Sequence, residues 1–63
     1  MAAYFIQYTY EAYNEHRYED ECIIDFEKFE RVDSESFYRK FNDKIRERYS
    51  YNAKPIIKNV VKL

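Results

Sequence analysis

A chain of 63 residues with one cysteine, no glycine and a net charge of −1 excludes a good deal. That length buries one thin core and about 60% of the unfolded surface. Without glycine, the phosphate-cradling loops and nucleophile elbows of nucleotide-binding and hydrolase folds have no residue for their turns. With Cys22 alone, no intramolecular disulfide can staple the fold.

No apolar run approaches the roughly 18 residues of a membrane span. The start, Met1 to Gln7, lacks the basic region and long apolar stretch of a secretory signal. A cytoplasmic location and no membrane contact are expected. Tyr, Phe, Ile, Asn and Lys dominate, the usage expected of an AT-rich bacterial or phage genome. The net charge hides an asymmetry. Residues 1–35 carry ten acidic and three basic side chains, and residues 36–63 carry two acidic and eight basic. Such a split can orient a charged partner, or the halves can neutralise each other within one domain.

Tyr4 to Glu11 alternates with period two, which predicts a strand. Tyr4, Ile6, Tyr8 and Tyr10 form its core face, and Phe5 falls on the other. Asn14 to Arg17 reads as the hairpin tip, and the lack of glycine favours a longer loop with Asn14 supplying turn chemistry. The return strand runs from Tyr18 or Glu19 to Glu27, with Cys22, Ile24 and Phe26 on its apolar face. Phe29 breaks the alternation and marks the strand's end before it.

Asp33 reads as a helix N-cap, with Val32 and Phe37 placed for a hydrophobic staple. Phe37, Phe41, Ile45 and Tyr49 then recur every four residues, and Ser36, Arg39, Asp43, Arg46 and Glu47 form the polar face. Asn52 ends the helix and Pro55 blocks its continuation. Pro55 to Leu63 reads as a third strand. Its expected faces are Ile56 and Val60 with Lys58 and Lys62 on one side, and Ile57, Val61 and Leu63 on the other. Lysines in that pattern suit an edge.

The expected fold is a single α+β domain over residues 1–63, β-β-α-β in order. A right-handed crossover puts the strands in the order 2-1-3, antiparallel, with the helix on one face. The other face, with Phe5, Gln7, Thr9, Ile23 and Asp25, stays uncovered.

His16 and Cys22 match no zinc spacing, and Glu19-Asp20-Glu21 lacks the spaced ligands of a calcium loop. No metal or cofactor is expected. Cys22 on a core face would be protonated and inert. No paired-carboxylate cleft fits so small a domain, so no enzymatic activity is expected.

Binding remains. Eight tyrosines supply large rings with polar tips, the type enriched at contact surfaces. Tyr10, Tyr13, Glu15, Tyr18, Glu19 and Asp20 at the acidic hairpin are the expected protein-binding residues. The expected function is a protein-interaction module acting as a stoichiometric inhibitor or regulator, for instance a phage or mobile-element product directed at a host defence complex. Such an acidic surface could imitate a phosphate backbone. The alternative is nucleic-acid binding through Arg39, Lys40, Arg46, Lys58 and Lys62. Self-association into a homodimer is a third expectation, since a thin domain gains core that way.

Overall fold

In the computed structural model, residues 2–28 and 31–63 are described. Strand β1, Ala2–Glu11, is central. It pairs antiparallel with β2, Arg17–Phe26, on one side and with β3, Ile56–Lys62, on the other. The order is therefore 2-1-3, as the crossover argument requires. Helix α1, Glu35–Arg48, connects β2 to β3 and covers one face. Phe29, the residue that breaks the alternation, lies outside the described residues.

The covered face is the one the alternation selects. Ala2, Tyr4, Ile6 and Tyr8 from β1, Cys22, Ile24 and Phe26 from β2, and Phe37, Phe41 and Ile45 from α1 are buried. Each such large side chain contributes roughly 1.5–3 kcal/mol by leaving water. The rings meet mainly edge to face, Tyr4 on Phe26 and Phe37, and Tyr8 on Phe41. That geometry sets the positive edge of one ring against the negative face of the next. β1 starts at Ala2, two residues earlier than expected, because Ala2 fills the end of the core opposite Phe26.

The hairpin loop spans residues 12–16, and β2 starts at Arg17. Asn14 Oδ1 accepts from the His16 N–H at 3.1 Å, closing the turn as its side chain suits it to do. Glu15 takes φ 67, the left-handed position a glycine would otherwise fill.

The helix begins one residue later than expected. Ser34, not Asp33, is the N-cap, and its Oγ accepts from the Phe37 N–H at 3.2 Å. Asp33 pairs instead with Arg31 at 3.1 Å. The staple is not made, since Val32 stays 45% exposed. The helix also ends earlier, at Arg48. Tyr49 turns to extended backbone while its N–H still donates to Ile45 O, which frees its ring to swing toward the hairpin. Asn52 serves the following turn, its Oδ1 accepting from the Lys54 N–H at 3.2 Å.

β3 corrects the expected face assignment. The pairing steps from Gln7 opposite Asn59 to Tyr8 opposite Ile57, so Lys58 is an extra residue in a β-bulge. One inserted residue exchanges the faces on either side of it. Ile57 and Val60 therefore both pack against the core, while Ile56 and Val61 are exposed on the open face. The expected grouping of Ile56 with Val60 fails for that reason.

The outer edge of β2 is blunted by side chains. Arg48 donates to Glu21 O at 2.6 Å, Lys40 donates to Asp25 O, and Asp20 Oδ1 accepts from the Glu21 N–H at 2.8 Å. Backbone groups that would recruit another strand are thus engaged within the chain. Lys40 also sits over the Phe26 ring, 4.8 Å from its centroid.

Candidate protein-binding site

The end of the sheet nearest the hairpin loop gathers five tyrosines from four parts of the chain. Tyr10 comes from β1, Tyr18 from β2, Tyr13 from the loop, and Tyr49 and Tyr51 from the segment after α1. Tyr10 lies opposite Tyr18 in the β1–β2 register, with ring centroids 6.0 Å apart. Tyr10 stacks on Tyr49 at 4.5 Å, Tyr49 meets Tyr51 edge-on at 6.2 Å, and Tyr51 packs on Tyr13 at 4.0 Å. The result is a continuous run of rings, Tyr18–Tyr10–Tyr49–Tyr51–Tyr13.

The two ends of this run are exposed and its middle is half-buried. Tyr13 is 77% exposed and Tyr18 is 45% exposed, while Tyr10, Tyr49 and Tyr51 are half-buried. Asn14 Nδ2 donates to Tyr18 Oη at 3.2 Å, which orients that ring. Beside Tyr49 and Tyr51 lies a depression of about 620 Å³, also lined by Arg46, Ala53 and Pro55. Its lining mixes these rings with Asn42, Ser50 and Asn52, and tyrosine and arginine are the residue types enriched at binding hot spots.

A polar network anchors the middle of the run. Tyr49 Oη donates to Asp20 Oδ2 at 2.7 Å, and Tyr8 Oη donates to the same oxygen at 3.3 Å. Arg48 Nη1 reaches that oxygen at 3.2 Å and donates to Tyr8 Oη at 3.1 Å. The hydrogen bond from Tyr49 holds the Asp20 carboxyl below its ordinary range, aided by Arg48 and the Glu21 N–H. Burial pushes the Tyr49 and Tyr8 hydroxyls up. Burial also pushes the Cys22 thiol up, which keeps it protonated.

The hairpin residues named from the sequence are thus brought together, but not in one role. Tyr10, Tyr13 and Tyr18 belong to the ring run, and Glu15 stands exposed in the loop beside Tyr13, while Glu19, opposite Thr9, is exposed on the uncovered face of the sheet. Asp20 is turned inward to Tyr8, Tyr49 and Arg48 and acts as a structural anchor. Tyr49, Tyr51 and Arg46 complete the surface. Sequence reasoning did not join them to the hairpin, because nothing local in the chain brings residue 51 beside residue 13.

The basic residues of the alternative reading are divided. Arg39 pairs with Glu35 at 2.7 Å and Lys40 is engaged on Asp25 O. Both line a groove between α1 and β2 that also holds Asp25, Asp43 and Glu47. Arg46 lines the depression beside the tyrosines, while Lys58 and Lys62 lie on β3, beyond β1. No single basic surface joins the five.

Among the described residues, no three His, Cys, Asp or Glu side chains gather to hold a metal ion. Among those residues, no helix is long and apolar enough to cross a membrane. Compared with protein-family models, curated proteins and solved structures, the chain matches none.

Proposed function

We propose that this chain works by binding another protein through its tyrosine-rich end, and that occupancy of the partner is its effect. The observation that supports this reading is the run of five rings from Tyr18 to Tyr13, water-facing at its ends and anchored at its middle. Rigid aromatic side chains lose little conformational entropy on contact, so a pre-packed run is a low-cost binding surface. Tyr13, Tyr18 and Tyr51 are the anchors. Arg46 borders the adjoining depression, and Glu15 in the loop beside Tyr13 favours a partner with a basic border. A module of this kind regulates by blocking a site on its partner, as a stoichiometric inhibitor does. Nucleic-acid binding is the weaker reading, because the basic residues it needs are divided between α1 and β3.

Affinity capture from extracts of the organism that encodes the chain, treated with nuclease, tests the proposal. The wild-type chain should recover a protein in a fixed ratio, and Tyr13→Ala with Tyr51→Ala should lose it. Recovery that disappears with nuclease, or that survives the tyrosine changes and falls with Arg39→Glu and Lys40→Glu, would reject it.

A further inference from the structure

The uncovered face of the sheet has a pattern of its own. Phe5 lies directly between Ile23 on β2 and Val61 on β3, so one apolar row crosses all three strands. Ile23 is 52% exposed, Val61 is 44% exposed, and Phe5 is half-buried. The next row is polar, Glu21–Gln7–Asn59, with Asn59 donating to Gln7 Oε1 at 3.3 Å. Arg17, at the hairpin end of this face, is held on Thr9 Oγ1 and Lys54 O, and the charge beyond it is divided between the edges. Glu19 and Glu21 stand on the β2 side, and the bulged Lys58 stands on the β3 side. All three line one depression that includes Gln7.

We infer that this face is covered by a second copy of the chain, the two sheets packing face to face about a twofold axis parallel to β1. The symmetry follows from the charges. A twofold axis along β1 sets each row over its own counterpart and places β2 of one copy over β3 of the other. The Ile23–Phe5–Val61 rows then meet each other, and Glu19 and Glu21 of each copy face Lys58 of the other, twice over. A twofold axis across the strands would instead lay β2 on β2, with carboxylate over carboxylate. Aligned sheet packing about 10 Å apart is the ordinary geometry for two such faces. A two-layer domain thereby becomes a four-layer one with a second apolar core. The bulge at Lys58 is part of the device, because it turns Val61 outward to complete the row. The inference is independent of the tyrosine run, whose five rings the dimer leaves free.

Sedimentation equilibrium on the purified chain tests it. The wild-type chain should dimerise, and Phe5→Glu should be monomeric with an unchanged circular dichroism spectrum. Glu21→Lys alone and Lys58→Glu alone should each weaken the dimer by at least about tenfold. A mixture of these two variants should restore it, because each mixed pair sets a cation opposite an anion at both contacts. Dimerisation strengthened by Glu21→Lys would contradict the axis. A wild-type chain that stays monomeric at millimolar concentration, or single variants whose mixture fails to recover, would overturn the inference.

Discussion

Tyr49 donates its hydroxyl to Asp20 Oδ2 at 2.7 Å, joining the residue that ends the helix to the middle of β2. The contact fixes where α1 stops, where the Tyr49 ring stacks and how the hairpin end is held. Tyr49→Phe removes the hydroxyl and keeps the ring. It should lower stability by about 1.5–3 kcal/mol, as for a hydrogen bond to a charged group. Urea unfolding with an unchanged m-value would record it. A change below a few tenths of a kcal/mol would show that Arg48 and Tyr8 alone hold Asp20.

The same network gives stability a pH dependence at both ends. The Asp20 carboxyl is held below its unfolded value, so its contribution is present above the ordinary carboxylate range and is lost as pH falls through the folded value. The Tyr49 and Tyr8 hydroxyls are held above theirs. Their contribution is complete below the ordinary phenol range and is lost as pH rises beyond it. Thermal unfolding across pH should therefore fall off on both sides, and Asp20→Asn should flatten the acid limb. An acid limb identical in Asp20→Asn would assign it to other carboxylates.

Two adjacent residues compete for the start of the helix, and the geometry decides between them. Ser34→Ala should cost about 1 kcal/mol. Asp33→Ala should cost less, about a few tenths, since it removes only an exposed ion pair with Arg31. Equal losses in urea unfolding would return the cap to Asp33.

Tyr8→Ala should leave the chain largely unfolded, because Tyr8 is buried, packs on Phe41 and feeds the Asp20 network. Loss of a large core ring costs roughly 3–5 kcal/mol, a large share of the stability of so small a domain. Loss of the helical circular dichroism signal at 25 °C is the expected readout. A cooperative native transition would mean the cavity had collapsed around the remaining side chains.

Much of this fold was legible because its periods are clean. Tyr4, Ile6 and Tyr8 alternate strictly, as do Cys22, Ile24 and Phe26, and Phe37, Phe41 and Ile45 recur at helical spacing. Those patterns, with the handedness of the crossover, lead to the observed sheet order. The bulge was not legible. Ile56-Ile57 and Val60-Val61 are apolar doublets, so hydropathy alone does not say which member faces inward. The N-cap was ambiguous because Asp33 and Ser34 are both good caps. Asp20 sits in a run of acids that looks like solvated surface, and its partners Arg48 and Tyr49 lie 28 and 29 residues away. The tyrosines of the hairpin could be named from composition, but their union with Tyr49 and Tyr51 exists only once α1 has returned the chain to the sheet.

The measurement that bears most directly on the binding account is calorimetric titration of the captured partner with the wild-type chain and with Tyr13→Ala. Tyr13 is exposed, so its removal should leave folding intact. The account predicts one partner site per chain and a loss of affinity of about 30-fold, the size of a single hot spot. An unchanged affinity would contradict it and remove the tyrosine-rich end from the binding surface.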